Sequence, residues 1–201
     1  MDLLLYLIFT LLILAIFIYF LVRKLGIKEF RFNYKEGLMF IREEIPNLSV
    51  SLGNYIEIVV SRDGKMRKIH VNMIIKSNVD KIIDNFNLVL DKKIKFRIKQ
   101  FYKENLNAGI RYPDINISLP LNSSEQPLNL KAEFETFDYT PFEISQGIHN
   151  LKLYYQTHNQ RAVRKFRINF QETNKKSLEL AKNEAINDRQ AKVIRIPVVF
   201  I

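Results

Sequence analysis

The chain opens on an unbroken apolar run and then settles into short alternating segments. Leu3 to Val22 reads LLLYLIFTLLILAIFIYFLV, twenty positions without a charged residue. A helix of that length, at about 1.5 Å per residue, crosses the roughly 30 Å hydrocarbon core of a bilayer. A helix from a soluble core would carry a polar face, and this one has none. The pattern therefore predicts a transmembrane anchor over residues 1–24. Tyr6 and Tyr19 lie near its ends, where amphipathic rings favour the headgroup level. A cleaved signal peptide fits poorly, because the chain starts Met1-Asp2 and leaves the run at Arg23-Lys24.

Residues 35–45 are ambiguous and are read as a short helix ending at Pro46. Beyond Pro46 the period becomes two, the signature of half-buried strands. Tyr55 to Val60 predicts a strand and Arg62-Asp63-Gly64 a turn. Ile69, Val71, Met73 and Ile75 then face inward, with Lys68, His70 and Asn72 outward. Asp84 to Leu90 is a further strand. Ile94, Phe96 and Ile98 alternate with Lys95, Arg97 and Lys99. Ile115, Ile117, Leu119 and Leu121 form the next apolar face, followed by Leu128, Leu130, Ala132 and Phe134. Leu151, Leu153 and Tyr155 lead through a turn at His158 to Phe166, Ile168 and Phe170. Thr173 to Ala191, polar and free of Gly and Pro, predicts a helix with Leu178, Leu180, Ala181 and Ala185 as its stripe. A disordered excursion is the alternative there. Val193 to Ile201 closes the chain as a strand whose Pro197 suits an edge.

Eight to ten short strands with regular turn signals point to two packed sheets or a barrel. The expectation is an all-β, antiparallel β-sandwich, immunoglobulin-like or jelly-roll-like, over residues 47–201. A basic and aromatic juxtamembrane segment over 25–46 precedes it. Residues 142–170, containing EISQGIHNLKLYYQTHNQRAVRKFRINF, resemble the closing hairpin of immunoglobulin-like sandwiches, where a Gly precedes a strand of alternating Leu and aromatic residues. The resemblance implies that fold alone. The family's Cys pair and core Trp are absent from this chain, which has no Cys and no Trp, so no strand order or binding loop carries over.

Charge adds a surface to this picture. Lys and Arg number 31 against 21 Asp and Glu, a formal net charge of +10. Arg23, Lys24, Lys28, Arg31 and Lys35 follow the apolar run, interleaved with Phe30, Phe32 and Tyr34. These eight residues are the expected membrane interface, able to meet anionic headgroups; a short strand of alternating inward and outward residues leading into the β-domain is a compatible reading of the same stretch. Only Glu29 opposes them, so the positive-inside rule places the β-domain in the cytosol. Export is the alternative, since long domains translocate largely regardless of flanking charge. Lys95, Arg97, Lys99, Lys152, Arg164, Lys165 and Arg167 form a candidate basic face, suited to acidic lipid, phosphate or an acidic protein. Nucleic acid is disfavoured, because only Phe101 and Tyr154 could present rings for stacking beside those cations.

Candidate chemistry is sparse. The absence of Cys excludes disulfides, thiolate zinc sites and a cysteine nucleophile. His70 and His158 fall on ordinary solvated positions, and with His149 they show no convergent metal-ligand spacing. Asp80, Asp84 and Asp91 are spread along one strand and its two ends, whereas acid–base pairs must share a pocket. No nucleophile elbow, zinc-helix or phosphate-loop motif occurs. No catalytic, cofactor or metal residue is therefore assigned. The expected function is a membrane-anchored, non-enzymatic binding or scaffold module with protein partners in a membrane assembly. The alternative is a β-domain handling lipid or a small hydrophobic ligand, which would need an apolar cleft too large for side chains to fill.

Overall fold

The computed structural model describes residues 2–33, 37–103, 118–125 and 127–199. A helix, α1 (Asp2–Lys24), leads into a hairpin of β1 (Ile27–Asn33) and β2 (Gly37–Arg42). Then follow β3 (Leu48–Val60), β4 (Met66–Ser77), β5 (Lys81–Leu90), β6 (Ile94–Lys103), β7 (Leu119–Leu121) and β8 (Leu128–Thr136). The chain ends with β9 (Gly147–Thr157), β10 (Gln160–Phe170), a second helix α2 (Glu172–Asp188) and β11 (Lys192–Val199).

α1 is long and apolar enough to cross a membrane, and its apolar span is not buried against the rest of the chain. The aliphatic hydroxyl within that span, Thr10 Oγ1, donates to the Tyr6 and Leu7 carbonyls at 3.0 and 2.9 Å. It is thereby satisfied inside the helix and does not stand orphaned in an apolar surround.

Eight strands close into a barrel in the order β3-β4-β8-β6-β5-β9-β10-β11, with β11 returning to β3, and every one of these pairings is antiparallel. The expected sandwich, immunoglobulin-like or jelly-roll-like, is thus overturned. Alternation says which side chains face inside, and both architectures have a single inside. What separates them is the pairing of β5 with β9 and of β10 with β11, which removes the free edges a sandwich keeps.

The β10–β11 seam is short. Only Arg167 and Ile168 pair with Val199 and Val198. On the same edge of β10, Arg161 and Ala162 pair in parallel with Ile41 and Arg42 of β2. The residues expected to form a short helix before Pro46 thus include a strand, because pairing with β1 and β10 overrides local propensity. Pro197 lies in β11 opposite Tyr55 of β3, within the wall and not at an edge. It is tolerated where the β10 ladder has already ended.

The barrel interior is filled. Phe86, Phe96, Phe101, Phe134, Phe170 and Tyr155 are its largest buried side chains. Phe86 meets Phe101 edge-on at 5.3 Å and stacks near Tyr155 at 6.4 Å, while Phe96 meets Phe142 at 5.1 Å. Eight strands leave an interior just wide enough for such side chains. A bulge in β6 between Ile98 and Gln100 turns Phe101 inward, where it is fully buried.

α2 forms where the polar, Gly-free stretch predicts a helix. The Gln171 N–H donates to Asn174 Oδ1 at 2.9 Å, completing a capping box. Leu178, Ala181 and Ala185 are buried, whereas Leu180, expected on the same stripe, is exposed. A Cβ on Gly64, whose φ is +73°, would stand 2.9 Å from Ile186 Cδ1. The turn before β4 therefore favours glycine for its backbone, and a side chain there would also push the tip of Ile186 aside.

Candidate functional site: two charged faces of the barrel wall

With the interior filled, the chemistry lies on the outside of the wall. Across five adjacent strands the register aligns Arg195 of β11, Glu57 of β3, His70 of β4, Glu133 of β8 and Gln100 of β6. They form one continuous ionic row. Glu57 and Glu133 are each only 5% exposed although they point outward. Cationic arms from neighbouring positions cover them. Lys131 reaches Glu57 at 2.5 Å and Arg195 reaches it at 3.2 Å. Lys68 reaches Glu133 at 2.6 Å, with Gln100 donating at 2.7 Å and Tyr102 at 3.1 Å. The His70 ring bridges the two carboxylates, 3.5 Å from Glu57 and 3.6 Å from Glu133. Beside the row, Glu135 is buried under Arg97 at 3.2 Å and Lys99 at 3.7 Å.

Burial alone would raise these carboxyls. At Glu57 it is outweighed by Lys131, Arg195 and His70, which hold the group below the ordinary carboxylate range. At Glu133 burial is outweighed more strongly, by His70, Lys68 and Gln100, and the carboxyl is held far below that range. Both carboxylates of the row are thus ionised and paired within it. His70, expected on a solvated face, is a half-buried member of it.

The opposite side of the wall is built differently. Lys95 of β6, Val89 of β5, Lys152 of β9 and Lys165 of β10 share one cross-strand row. Lys152 is paired with Glu29 of β1, and Tyr154 donates to the same carboxylate at 3.0 Å. Lys165 stands 3.8 Å from it. This one carboxylate ties the β1–β2 hairpin to the barrel. Burial would lower the Lys152 ammonium, but Glu29 outweighs it and raises the group.

Of the candidate basic face, Lys95, Arg97, Lys99, Lys152, Lys165 and Arg167 point outward, but they divide between the two sides. Arg97 and Lys99 neutralise Glu135, while Lys95, Lys152, Lys165 and Arg167 belong with β9 and β10. Arg164 belongs to neither side. It pairs with Leu153, whose side chain is inside. Its guanidinium fills the short seam, donating to the Val50 carbonyl at 3.2 Å and to Glu44 at 2.6 Å. Phe101, expected as an exposed ring, is in the core.

Of the expected membrane-interface residues, Arg23 and Lys24 form the last turn of α1, and Lys28, Phe30, Arg31 and Phe32 lie in β1. Lys28 pairs with Glu43 at 2.9 Å. Phe30 packs edge-on with Phe40, ring centroids 5.7 Å apart, and both stay half exposed. Tyr34 and Lys35 lie outside the described residues, as do Ile115 and Ile117.

Asp80 and Asp91 sit at opposite ends of β5. Asp80 accepts from the Ser123 N–H and hydroxyl, both at 2.8 Å, which hold its carboxyl below the usual value. Asp91 lies 2.5 Å from His149 Nδ1 and accepts the Asn150 N–H at 2.9 Å. His149 Nε2 faces the Ser145 carbonyl at 2.7 Å, so both ring nitrogens meet acceptors. This buried link staples the β5–β6 turn to β9. Asp91 and His149 are remote in the chain, so no local pattern reveals their pairing. His158 is exposed in the β9–β10 turn. Among the described residues no group of three or more His, Asp or Glu is placed to hold a metal ion.

Clefts mark the surface. One of about 960 Å³ at the barrel mouth is lined by Asp80, Ile82, Leu119, Leu130 and His158. Leu119 and Leu130 are 1% and 2% exposed, so this cleft ends on packed side chains and does not enter the barrel. No protein-family model, no curated protein and no solved structure matches the chain.

Proposed function

We propose that this chain is a membrane-anchored, non-enzymatic binding and scaffold module, a subunit of a membrane-associated assembly whose contacts are made by the outer wall of the barrel. The observation that carries this reading is the filled interior. Six large aromatic side chains occupy the volume that cargo would need, which weighs against the alternative of a lipid- or hydrophobic-ligand-handling domain. Support also comes from the outward carboxylates Glu29, Glu57, Glu133 and Glu135, which are held by neighbouring cations instead of converging on open space. α1 supplies the anchor, and the excess of Lys and Arg directly after it favours the barrel in the cytosol.

The test is chemical crosslinking of the full chain in native membranes, followed by native electrophoresis and mass spectrometry. The expected result is migration as an assembly larger than the chain, with crosslinks from outward barrel residues to other proteins. Recovery of an uncrosslinked chain carrying a stoichiometric hydrophobic molecule would replace this reading with the cargo alternative. A protease added to sealed cells should spare a tag after Ile201; digestion there would move the barrel to the exported side.

A further inference from the structure

The end of α1 and one side of the barrel share a cleft, and a second cleft on the barrel wall adjoins it. Lys24, Arg42, Glu43, Glu44 and Arg164 line the first, of about 590 Å³. Glu43 and Arg164 continue into the second, of about 760 Å³, with Lys28, Lys92, Lys165 and Arg167. The clefts are fixed to the helix end, because the Glu43 N–H donates to the Gly26 carbonyl at 3.1 Å. Lys24 is the last residue of α1. Groups sharing a cleft with it stand at the depth of the headgroup layer, roughly 5–8 Å thick on each side of the hydrocarbon core.

The charges in these clefts do not balance, even with Asp91, which lines the second cleft and is held by His149 and the Asn150 N–H. Lys28 is paired with Glu43, Arg164 with Glu44, and Lys165 lies near Glu29. Lys24, Arg42, Lys92 and Arg167 have no carboxylate in ion-pair range among the described residues. On the other side of the same barrel each cation of the ionic row stands within ion-pair range of a carboxylate, a pairing these four cations lack among the described residues.

We propose that the paired clefts beside the anchor seat anionic phospholipid headgroups, held by Lys24, Arg42, Lys92 and Arg167. The proposal rests on the reading of α1 as a membrane anchor. Planar guanidinium groups suit the phosphate oxygens, and the lysines add point charge. Free phosphate would meet the same cations, but the position at headgroup depth selects lipid. Binding there would hold one side of the barrel against the leaflet and leave the ionic row turned to the aqueous phase.

The chain has no Cys, so Asn150→Cys in the second cleft gives a unique site for a fluorophore. The labelled full chain is reconstituted into phosphatidylcholine vesicles containing a small fraction of nitroxide-labelled phosphatidylserine or nitroxide-labelled phosphatidylcholine, both labelled at the same shallow acyl position. Local enrichment of the anionic lipid is on the order of fivefold per uncompensated cation. Quenching by the serine lipid should therefore exceed quenching by the choline lipid severalfold. The ratio should fall toward one in Lys92→Glu with Arg167→Glu. Arg167→Glu alone, at an ordinary exposed strand position, should lower it partway and guards against damage to the turn at Lys92.

Equal quenching by the two lipids in a chain that floats with the vesicles overturns the proposal while sparing the anchor, and leaves the clefts to an acidic protein. A chain that floats with neither vesicle overturns the anchor reading and this proposal with it.

Discussion

The two outer faces of the barrel solve one problem in opposite ways. On β11, β3, β4, β8 and β6, outward carboxylates are buried beneath Lys, Arg and His from adjacent strands, and every cation of the row has a carboxylate in ion-pair range. On β9, β10 and the hairpin, a single carboxylate, Glu29, serves two lysines, and cations nearer the end of α1 go without a carboxylate among the described residues. Both faces use the outward positions of a closed barrel, so backbone geometry does not distinguish them. The difference lies in where the countercharge sits. On the first face it is built into the fold, and on the second it is left to whatever the protein meets.

The contrast is sharpest in stability. Glu133→Ala removes the acceptor for Lys68, Gln100 and Tyr102. It should cost about 2–4 kcal/mol, the lower part of that range applying because Lys68 can still reach water. Urea unfolding of the full chain in detergent reads this directly. A cost under about 0.5 kcal/mol would mean that the row is mere surface decoration.

The alkaline limb tests the interior that both faces enclose. Tyr155 is buried, and its hydroxyl has no hydrogen-bond partner among the described residues. Burial pushes its pKa up to about 12. A folded value above the unfolded one gives stability that is intact below about pH 10 and lost as pH rises toward 12. A rise of that size is worth about 2–3 kcal/mol at the upper end. Tyr155→Phe should remove this loss while leaving stability near neutral pH unchanged or slightly higher. An unaltered alkaline limb in the variant would show that the hydroxyl reaches water.

The acid limb tests the row again. Glu57 and Glu133 are depressed in the folded state. Their contribution is therefore present above the unfolded carboxyl value, about 4.3, and is lost as pH falls below it. Glu57→Gln with Glu133→Gln should be less stable at neutral pH and show a flatter decline below about pH 4.5. Parallel declines in variant and wild type would place the acid-sensitive groups elsewhere. The smallest effect belongs to the other face, where Lys92→Ala and Arg167→Ala should each change stability by less than about 0.5 kcal/mol, because neither has a carboxylate partner to lose among the described residues.

Some of this is plain in the sequence. The apolar run of α1, the inward faces of β4, β8, β9 and β10, and the polar helix α2 follow from periodicity and composition, which are local. Closure into a barrel does not, because β5–β9 and β10–β11 join segments far apart in the chain. The bulge in β6 reverses the phase of alternation after Ile98, so Phe101 reads as outward in a strand without it. His70 reads as solvated because the glutamates flanking it come from other strands. Arg164 is more legible. It shares parity with Phe166 and Ile168, a sign that it points inward, and grouping it with Lys165 and Arg167 ignores that parity. The uncompensated clefts depend on how β2, β10 and the end of α1 meet, which no local pattern records.

Thiol accessibility in native membranes tests the division of labour between the faces most directly. Asn150→Cys sits among the uncompensated cations, and Val193→Cys lies on the outer wall beside the ionic row, 48% exposed as valine. Alkylation at position 150 should be markedly slower in native membranes than in detergent, while alkylation at position 193 should be equally fast in both. Protection at 193 with free reaction at 150 would contradict the assignment and make the ionic row the contact surface.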